Sequence, residues 1–277
     1  MPPVCCDAYD WWAGMDLSRL PAGLRWCYEW LVTLIGAVFF VSAGLLLSLL
    51  GLILRPFLTR SQAHWCGRHG MHYGSRLFFA VLRLSGIVHV DFSELDRLRH
   101  ERGLIITPNH PCLMDALFVT SRLPNVVCVM KGSVLHNPVF YGCAELGGFI
   151  RSDTPLRFVQ QCKDALQEGA QLLLFPEGTR TVSGTINPFK GGFALLARQT
   201  GAPVQTVFIE ANTPFLGKKW RIWQKPDFPL IYRATLGKRL QVGKDQDLKE
   251  FTRDLENYFR NHLYNSSLPV STKPMRR

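Results

Sequence analysis

The sequence predicts an α/β protein in which a mixed sheet is flanked by helices and preceded by a membrane-embedded helical segment. Short apolar runs alternate with helical patterns between residues 87 and 265, which is typical of a sheet covered by helices. A run of 24 residues without a formal charge, residues 31–54, precedes this region. It is long enough to cross a hydrocarbon core of roughly 30 Å. We therefore predict an N-terminal membrane-associating segment (1–86), a globular domain (87–265) and a disordered basic tail (266–277).

The apolar run 31–54 is predicted to stay in the membrane as a helix rather than to be a signal peptide. It begins too late and is too long for a signal peptide, and no small-residue cleavage site precedes Arg55. A second, amphipathic stretch follows at 73–86. Because glycines interrupt the apolar run, a full span and a pair of helices within one leaflet both stay open. Two arginines precede the run and four follow closely, which predicts that the domain faces the cytoplasm. We expect the membrane to be a bacterial inner membrane.

The charge balance favours a membrane surface as the partner. The chain has a formal net charge of +11, and the first 30 residues hold 2 basic and 4 acidic side chains, so the rest carries +13. Such a surface attracts anionic lipid headgroups. The basic, aromatic stretch 214–233, with Lys218 and Trp220, suits the headgroup layer, although an ordinary basic loop is the alternative. No nucleic-acid-binding sequence motif accompanies the excess of basic side chains, so we predict no nucleic-acid partner.

The elements of the domain follow from the periodicity of apolar residues. The helices are predicted near 112–122, 154–168, 191–200 and 246–263, and Pro155 after Ser152-Asp153-Thr154 marks one helix start. The strands are predicted at 87–91, 104–107, 126–130, 171–175, 204–209 and 230–236.

The first motif, Asn109-His110-Pro111-Cys112-Leu113-Met114-Asp115, follows the predicted strand 104–107. Within one continuous helix, side chains five residues apart point about 140° away from each other. Pro111 suits the first helical position, which would make His110 the N-cap and allow Asp115 to reach its ring. Asp115 would then orient the imidazole and leave its second nitrogen free as a base. A capping His110 beside a solvated Asp115 is the alternative. Cys112 is predicted to be a small packing residue rather than a nucleophile.

The second motif, Phe175-Pro176-Glu177-Gly178-Thr179-Arg180, follows another apolar run. Gly178 allows close approach of the backbone, and the planar fork of Arg180 suits a phosphate. Lys190 then precedes a helix whose N-terminal amides add positive potential. This pattern predicts an anion site, and a surface turn with solvated basic residues is the alternative.

In this order, the motifs resemble those of the glycerolipid acyltransferase family, which includes lysophosphatidate acyltransferases. The likeness covers about residues 87–265: Asn109, His110 and Asp115 match one block, 175–180 match the next in full, and Ala202-Pro203-Val204 resembles the last. The resemblance implies that the histidine removes a proton from an acceptor hydroxyl as it attacks an acyl thioester, with the aspartate as its support. The thioester, acyl-CoA or acyl carrier protein, is a co-substrate, and neither a cofactor nor a metal is expected. The residues predicted to bind substrate are Asn109, Arg151, Glu177, Gly178, Thr179, Arg180 and Lys190.

One block departs from the family pattern G-x-[IF]-x-[IV]-x-R. Counted from Gly147, the arginine position holds Asp153, whereas Arg151 comes two places early. In lysophosphatidate enzymes this arginine binds the acceptor phosphate, so ornithine lipids and aryl polyene lipids stay open as acceptors. A non-catalytic or hydrolytic lipid-binding relative is a further alternative, against which the joint presence of His110, Asp115, Glu177 and Arg180 argues.

Overall fold

A seven-stranded mixed sheet forms the centre of the computed structural model, which describes residues 20–153, 155–182, 185–221 and 224–265. The strand order is β1-β7-β6-β2-β5-β3-β4, and every neighbouring pair is parallel except β6 and β7. The mixed sheet predicted from the sequence is thus confirmed, and the tail 266–277 lies outside the described residues. The strands are β1 (Val88–Asp91), β2 (Leu104–Pro108), β3 (Val126–Met130), β4 (Ile150–Arg151), β5 (Gln171–Leu173), β6 (Val204–Ala211) and β7 (Leu230–Leu240).

The sheet is covered on both faces, as a largely parallel sheet requires. Successive side chains of a strand point to opposite faces, and Ile106 of β2 accordingly lies in one core while Ile105 lies in the other. The six helices that follow β2 are α3 (Asp115–Arg122), α4 (Gly132–Leu135), α5 (Tyr141–Gly147), α6 (Pro155–Gln167), α7 (Gly192–Thr200) and α8 (Leu248–Tyr264).

Three of the four predicted helices begin within about two residues of the expected position, including α6 at Pro155. The prediction for α3 is wrong, because this helix begins at Asp115 with Met114 as its N-cap residue, so His110 is not the N-cap. The short elements β4, α4 and α5 were not predicted. They span too few residues for a periodic pattern to form.

Two long helices precede the sheet, α1 (Ala22–Leu54) and α2 (Arg60–Arg83), joined by a 3₁₀ turn at Arg55–Phe57. Within the described residues, α1 with this turn is the one helix long and apolar enough to cross a membrane. The predicted extent of the second stretch, 73–86, is wrong because α2 begins at Arg60. Thr59 and Gln62 form a capping box there, a start signal that the sequence carries.

Glycines of α1 bring it into close contact with α5 of the domain. A Cβ atom at Gly51 would stand 2.5 Å from the carbonyl oxygen of Gly142. Ser48 Oγ accepts a hydrogen bond from the Gly142 amide at 2.6 Å. The same face of α1 is therefore covered by protein, while leucines elsewhere on the helix, such as Leu34 and Leu49, are exposed.

Candidate active site

His110 and Asp115 form a hydrogen-bonded pair at the carboxyl end of β2. His110 Nδ1 lies 2.7 Å from Asp115 Oδ2. The Phe175 ring stacks on the imidazole, with 3.9 Å between ring centroids and 18° between planes. The His110 side chain is 18% exposed, whereas Asp115 is fully buried, so the alternative of a solvated aspartate does not hold. Nε2 of His110 makes no hydrogen bond within the described part of the chain.

The Asp115 carboxylate accepts three hydrogen bonds. Oδ2 accepts from the imidazole and, at 2.9 Å, from the Cys112 amide, while Oδ1 accepts from Cys112 Sγ at 3.0 Å. Burial raises the pKa of Asp115, and the hydrogen bonds from His110 and Cys112 lower it in part. As an anion this carboxylate accepts a hydrogen bond from Nδ1–H, which leaves the lone pair of the imidazole on Nε2.

Glu177 fixes the backbone of His110. Its buried carboxylate accepts from the His110 amide at 2.8 Å, from the Asn187 amide at 2.7 Å and from the Thr181 hydroxyl. The Thr181 amide in turn donates to the His110 carbonyl oxygen at 2.8 Å. Burial raises the pKa of Glu177, and the amides of Asn187 and His110 counteract this. The turn after β5 therefore holds both polar groups of the His110 backbone.

Asn109, the residue before the histidine, also binds protein backbone. Its buried side chain donates to the carbonyl oxygen of Ile209 at 2.8 Å and accepts from the Ile209 amide at 2.7 Å. These two bonds tie the loop after β2 to the neighbouring strand β6. Asn109 and Glu177, both predicted to bind substrate, thus form hydrogen bonds with the protein backbone.

Three basic side chains surround the turn 177–180. Arg180 Nη1 donates to the carbonyl oxygens of Leu216 at 2.8 Å and Gly217 at 3.2 Å. Lys218 Nζ lies 3.4 Å from Thr179 Oγ1. Lys190 lies over Gly178, where φ is +65° and an added Cβ would stand 3.0 Å from Lys190 Nζ, so glycine meets both the conformational and the spatial demand of this position.

Lys218 was predicted only as part of a basic segment and not as a site residue. It is 39 residues from Thr179 in sequence, so no local pattern could place the two together. Trp220 of that segment packs edge-to-face on Phe215. This contact agrees with the alternative that 214–233 is an ordinary basic loop in which one tryptophan packs against the protein.

Arg151 lies on a different strand from the one that leads to the histidine. Its strand β4 is at the edge of the sheet, separated from β2 by β3 and β5. Three strand spacings amount to about 14 Å. Its guanidinium pairs with Asp153 at 3.0 Å, the residue that occupies the family's arginine position.

The described residues contain no group of three or more histidine, cysteine, aspartate or glutamate side chains arranged to hold a metal ion. The chemistry that the observed groups can supply themselves is proton transfer at Nε2 and attraction of an anion by the basic side chains around the turn.

Known proteins resemble this chain in sequence and in fold. Residues 89–210 match the family model described as Acyltransferase. A 1-acyl-sn-glycerol-3-phosphate acyltransferase of Limnanthes alba is 29% identical over 219 residues, covering 75% of this chain and 73% of that protein. An enzyme of the same name from Helicobacter pylori is 29% identical over 112 residues, covering 38% of this chain and 47% of that protein.

A solved structure has the same fold. The 1-acyl-sn-glycerophosphate acyltransferase PlsC of Thermotoga maritima superposes with a TM-score of 0.64 at 20% identity, covering 85% of this chain and 95% of that one. The matched segment 89–210 contains both motifs and the His110–Asp115 pair. The chain is therefore similar to the acyltransferase family over the segment that contains both motifs, and it shares its fold with a solved acyltransferase.

Proposed function

We propose that the protein transfers an acyl group from a thioester, acyl-CoA or acyl carrier protein, to the free hydroxyl of lysophosphatidate at a membrane surface. One observation carries the proposal: His110 Nδ1 is bound to buried Asp115, while Nε2 is unbonded in the described structure. The names of the similar enzymes from Limnanthes alba and Helicobacter pylori support lysophosphatidate as the acceptor.

In the proposed reaction, Nε2 of His110 takes the proton of the acceptor hydroxyl as its oxygen attacks the thioester carbonyl carbon. A C–O bond forms, the C–S bond breaks, and the departing thiolate receives the proton from the imidazolium. Asp115 stabilises the imidazolium and holds the ring in one orientation. General-base assistance supplies about 10²- to 10⁴-fold, so the positioning of both substrates supplies much of the rest. No acyl-enzyme is required.

The basic side chains around the turn 177–180 suit the phosphate of the acceptor. Lys190 and Lys218 flank the turn, and Arg180 is held in place through Nη1. Cationic donors bind phosphate through charge-assisted hydrogen bonds. In this proposal Glu177 and Asn109 shape the site by fixing backbone, because protein donors already occupy their polar atoms.

An apolar cavity between α1, α2 and α3 is suited to the acyl chain. Its lining is almost entirely hydrocarbon and includes Phe39, Leu47, Met71, Phe78 and Leu117. Burial of apolar surface of this kind is the main source of affinity for an alkyl chain.

The proposed base is tested with His110→Ala in purified protein given a thioester and lysophosphatidate. We expect the rate of diacylated product to fall by at least about 10²-fold, because the general base is lost. His100→Ala is the matched control, since His100 is exposed and lies outside both motifs. Unchanged turnover in His110→Ala would exclude the proposed base.

The acceptor is tested by comparing lysophosphatidate with an ornithine lysolipid and with no acceptor. Phosphatidate as the main product, formed from lysophosphatidate, supports the proposal. Product from the ornithine lipid alone would overturn the acceptor assignment, and equal release of free fatty acid without any acceptor would indicate a hydrolase.

A further inference from the structure

We propose that Cys112 is a positioning residue for the His110–Asp115 pair, because its thiol orients the Asp115 carboxylate through a hydrogen bond to Oδ1. The proposal rests on the proposed function, in which His110 is the base. It assigns Cys112 a task that its sequence position alone did not suggest, since a cysteine inside a helix-start motif is usually a packing residue.

Cys112 supplies a donor to each oxygen of the carboxylate. Its amide lies 2.9 Å from Oδ2 and its Sγ lies 3.0 Å from Oδ1. The imidazole is the other partner of Oδ2, at 2.7 Å. Within the described residues, the thiol is the one donor that reaches Oδ1. Two donors from one residue therefore fix the plane of the carboxylate, and with it the direction of the Oδ2–Nδ1 bond.

Burial makes the hydrogen bond from the Cys112 thiol to Asp115 Oδ1 difficult to replace. Cys112 is 2% exposed and Asp115 is fully buried, so water does not replace the thiol at Oδ1. A buried acceptor that loses its partner is destabilised, and a charged acceptor is destabilised more than a neutral one. Loss of the thiol would therefore destabilise the anionic form of Asp115, which the proposed mechanism requires.

The thiol keeps its proton at neutral pH. Burial and the adjacent Asp115 raise the pKa of Cys112 well above its usual value. The other titratable or charged groups near it are the imidazole of His110, the hydroxyl of Tyr232 on β7, and Arg180, which acts through space. Cys112 is thus a donor and not a thiolate nucleophile.

The Tyr232 hydroxyl belongs to the same buried cluster. It is without a hydrogen-bond partner in the described structure. Burial, Cys112 and Asp115 raise its pKa well above the usual value. In the described structure, the Tyr232 hydroxyl is thus a further neutral group beside Asp115, and it makes no hydrogen bond to the carboxylate.

The test compares Cys112→Ala with Cys112→Ser in the full-length protein, assayed in lipid with a thioester and lysophosphatidate across pH. For Cys112→Ala we expect kcat to fall about 3- to 10-fold with KM unchanged, the size of effect for the loss of one hydrogen bond from a weak donor such as a thiol. The acid limb of the kcat profile should move to higher pH, because the Asp115 anion loses a donor. Cys112→Ser keeps a donor and should retain both kcat and the acid limb.

Cys162→Ala is the matched control, because Cys162 is as fully buried but lies in the core on the opposite face of the sheet. Its acid limb should match that of the parent protein. A parental pH profile and kcat in Cys112→Ala would overturn the proposal. So would an upward shift of the acid limb in Cys112→Ser, a result that decides the matter even if Cys112→Ala does not fold. Full turnover in His110→Ala would instead overturn the proposed base.

Discussion

At the scale of single residues, the site holds two carboxylates in surroundings that oppose their ionisation. Burial raises the pKa of both Asp115 and Glu177, and hydrogen bonds from protein donors offset part of the effect. Asp115 faces the ring of His110, whereas Glu177 holds its backbone. Together they fix the orientation of the His110 imidazole. Burying their two charges makes the free energy of folding less favourable.

Asp115→Asn separates the contribution of this residue to stability from its contribution to activity. The amide can keep an oxygen toward Nδ1 of His110 while its NH₂ group faces the Cys112 sulfur, so the packing is retained. We expect turnover to fall at least about 10²-fold, because the imidazolium loses its counter-charge. The melting temperature at neutral pH should stay equal to that of the parent or exceed it, because a buried charge is removed.

The difference in stability between the parent protein and Asp115→Asn should change with pH in a known direction. The pKa of Asp115 is higher in the folded protein than in the unfolded chain. The parent therefore gains stability as the pH falls through the folded-state pKa toward the unfolded-state pKa. The melting temperature of the parent should therefore approach or pass that of Asp115→Asn as pH is lowered. Thermal unfolding followed by circular dichroism measures both. A growing advantage of Asp115→Asn toward low pH would contradict the raised pKa.

At the scale of elements, the loop between β6 and β7 connects the candidate active site to α1. The Leu216 carbonyl oxygen accepts from both Arg180 and the Leu113 amide. Farther along the same loop, Lys225 forms an ion pair with Glu29, a buried residue of α1. One loop thus contacts the arginine of the second motif, the residue after Cys112, and the first helix.

Lys225→Gln tests this connection. Glu29 would keep a buried charge with one partner fewer, Arg25 remaining, so we expect a loss of about 1–3 kcal/mol in stability. The KM for lysophosphatidate should rise a few-fold, because the loop that holds Arg180 loses its anchor. Arg25→Gln is the control: Arg25 also pairs with Glu29 at 3.0 Å but lies one turn away in the same helix and is 41% exposed. Equal effects of the two substitutions on KM would refute a role for the loop.

At the scale of the whole molecule, α1 lies along the domain rather than projecting from it. Glu29 contacts the β6–β7 loop through Lys225, and Gly51 contacts α5 at Gly142. These two positions are about 33 Å apart along a helix, so the domain touches α1 near both ends. Of the two membrane arrangements left open by the sequence, this geometry favours helices within one leaflet, with the exposed leucines of α1 in lipid.

This arrangement predicts that the N-terminus and the domain lie on the same side of the membrane, which we expect to be the cytoplasmic side. An N-terminal tag and exposed domain residues such as Lys244 should be cleaved by protease in inverted vesicles and protected in spheroplasts. A periplasmic marker protein is the control for intact spheroplasts. Cleavage of the tag alone in spheroplasts would instead indicate that α1 spans the bilayer.

The sequence by itself determined the features that depend on neighbours along the chain. The alternation of apolar runs predicted six of the seven strands in the described structure, and the uncharged run predicted the C-terminal end of α1 at Leu54. Pro155 predicted the start of α6. The two motifs also identified the pair His110 and Asp115, because strand periodicity, caps and short spacings are local properties.

Only the tertiary structure decided which distant groups meet. Glu177 reaches the His110 amide across 67 residues, and Lys218 approaches Thr179 across 39. Even Cys112, three residues from Asp115, required the conformation of the turn before α3, which the sequence predicted wrongly as helix. Such contacts depend on strand order and loop closure, which are set by the packing of the whole sheet rather than by any short stretch of chain.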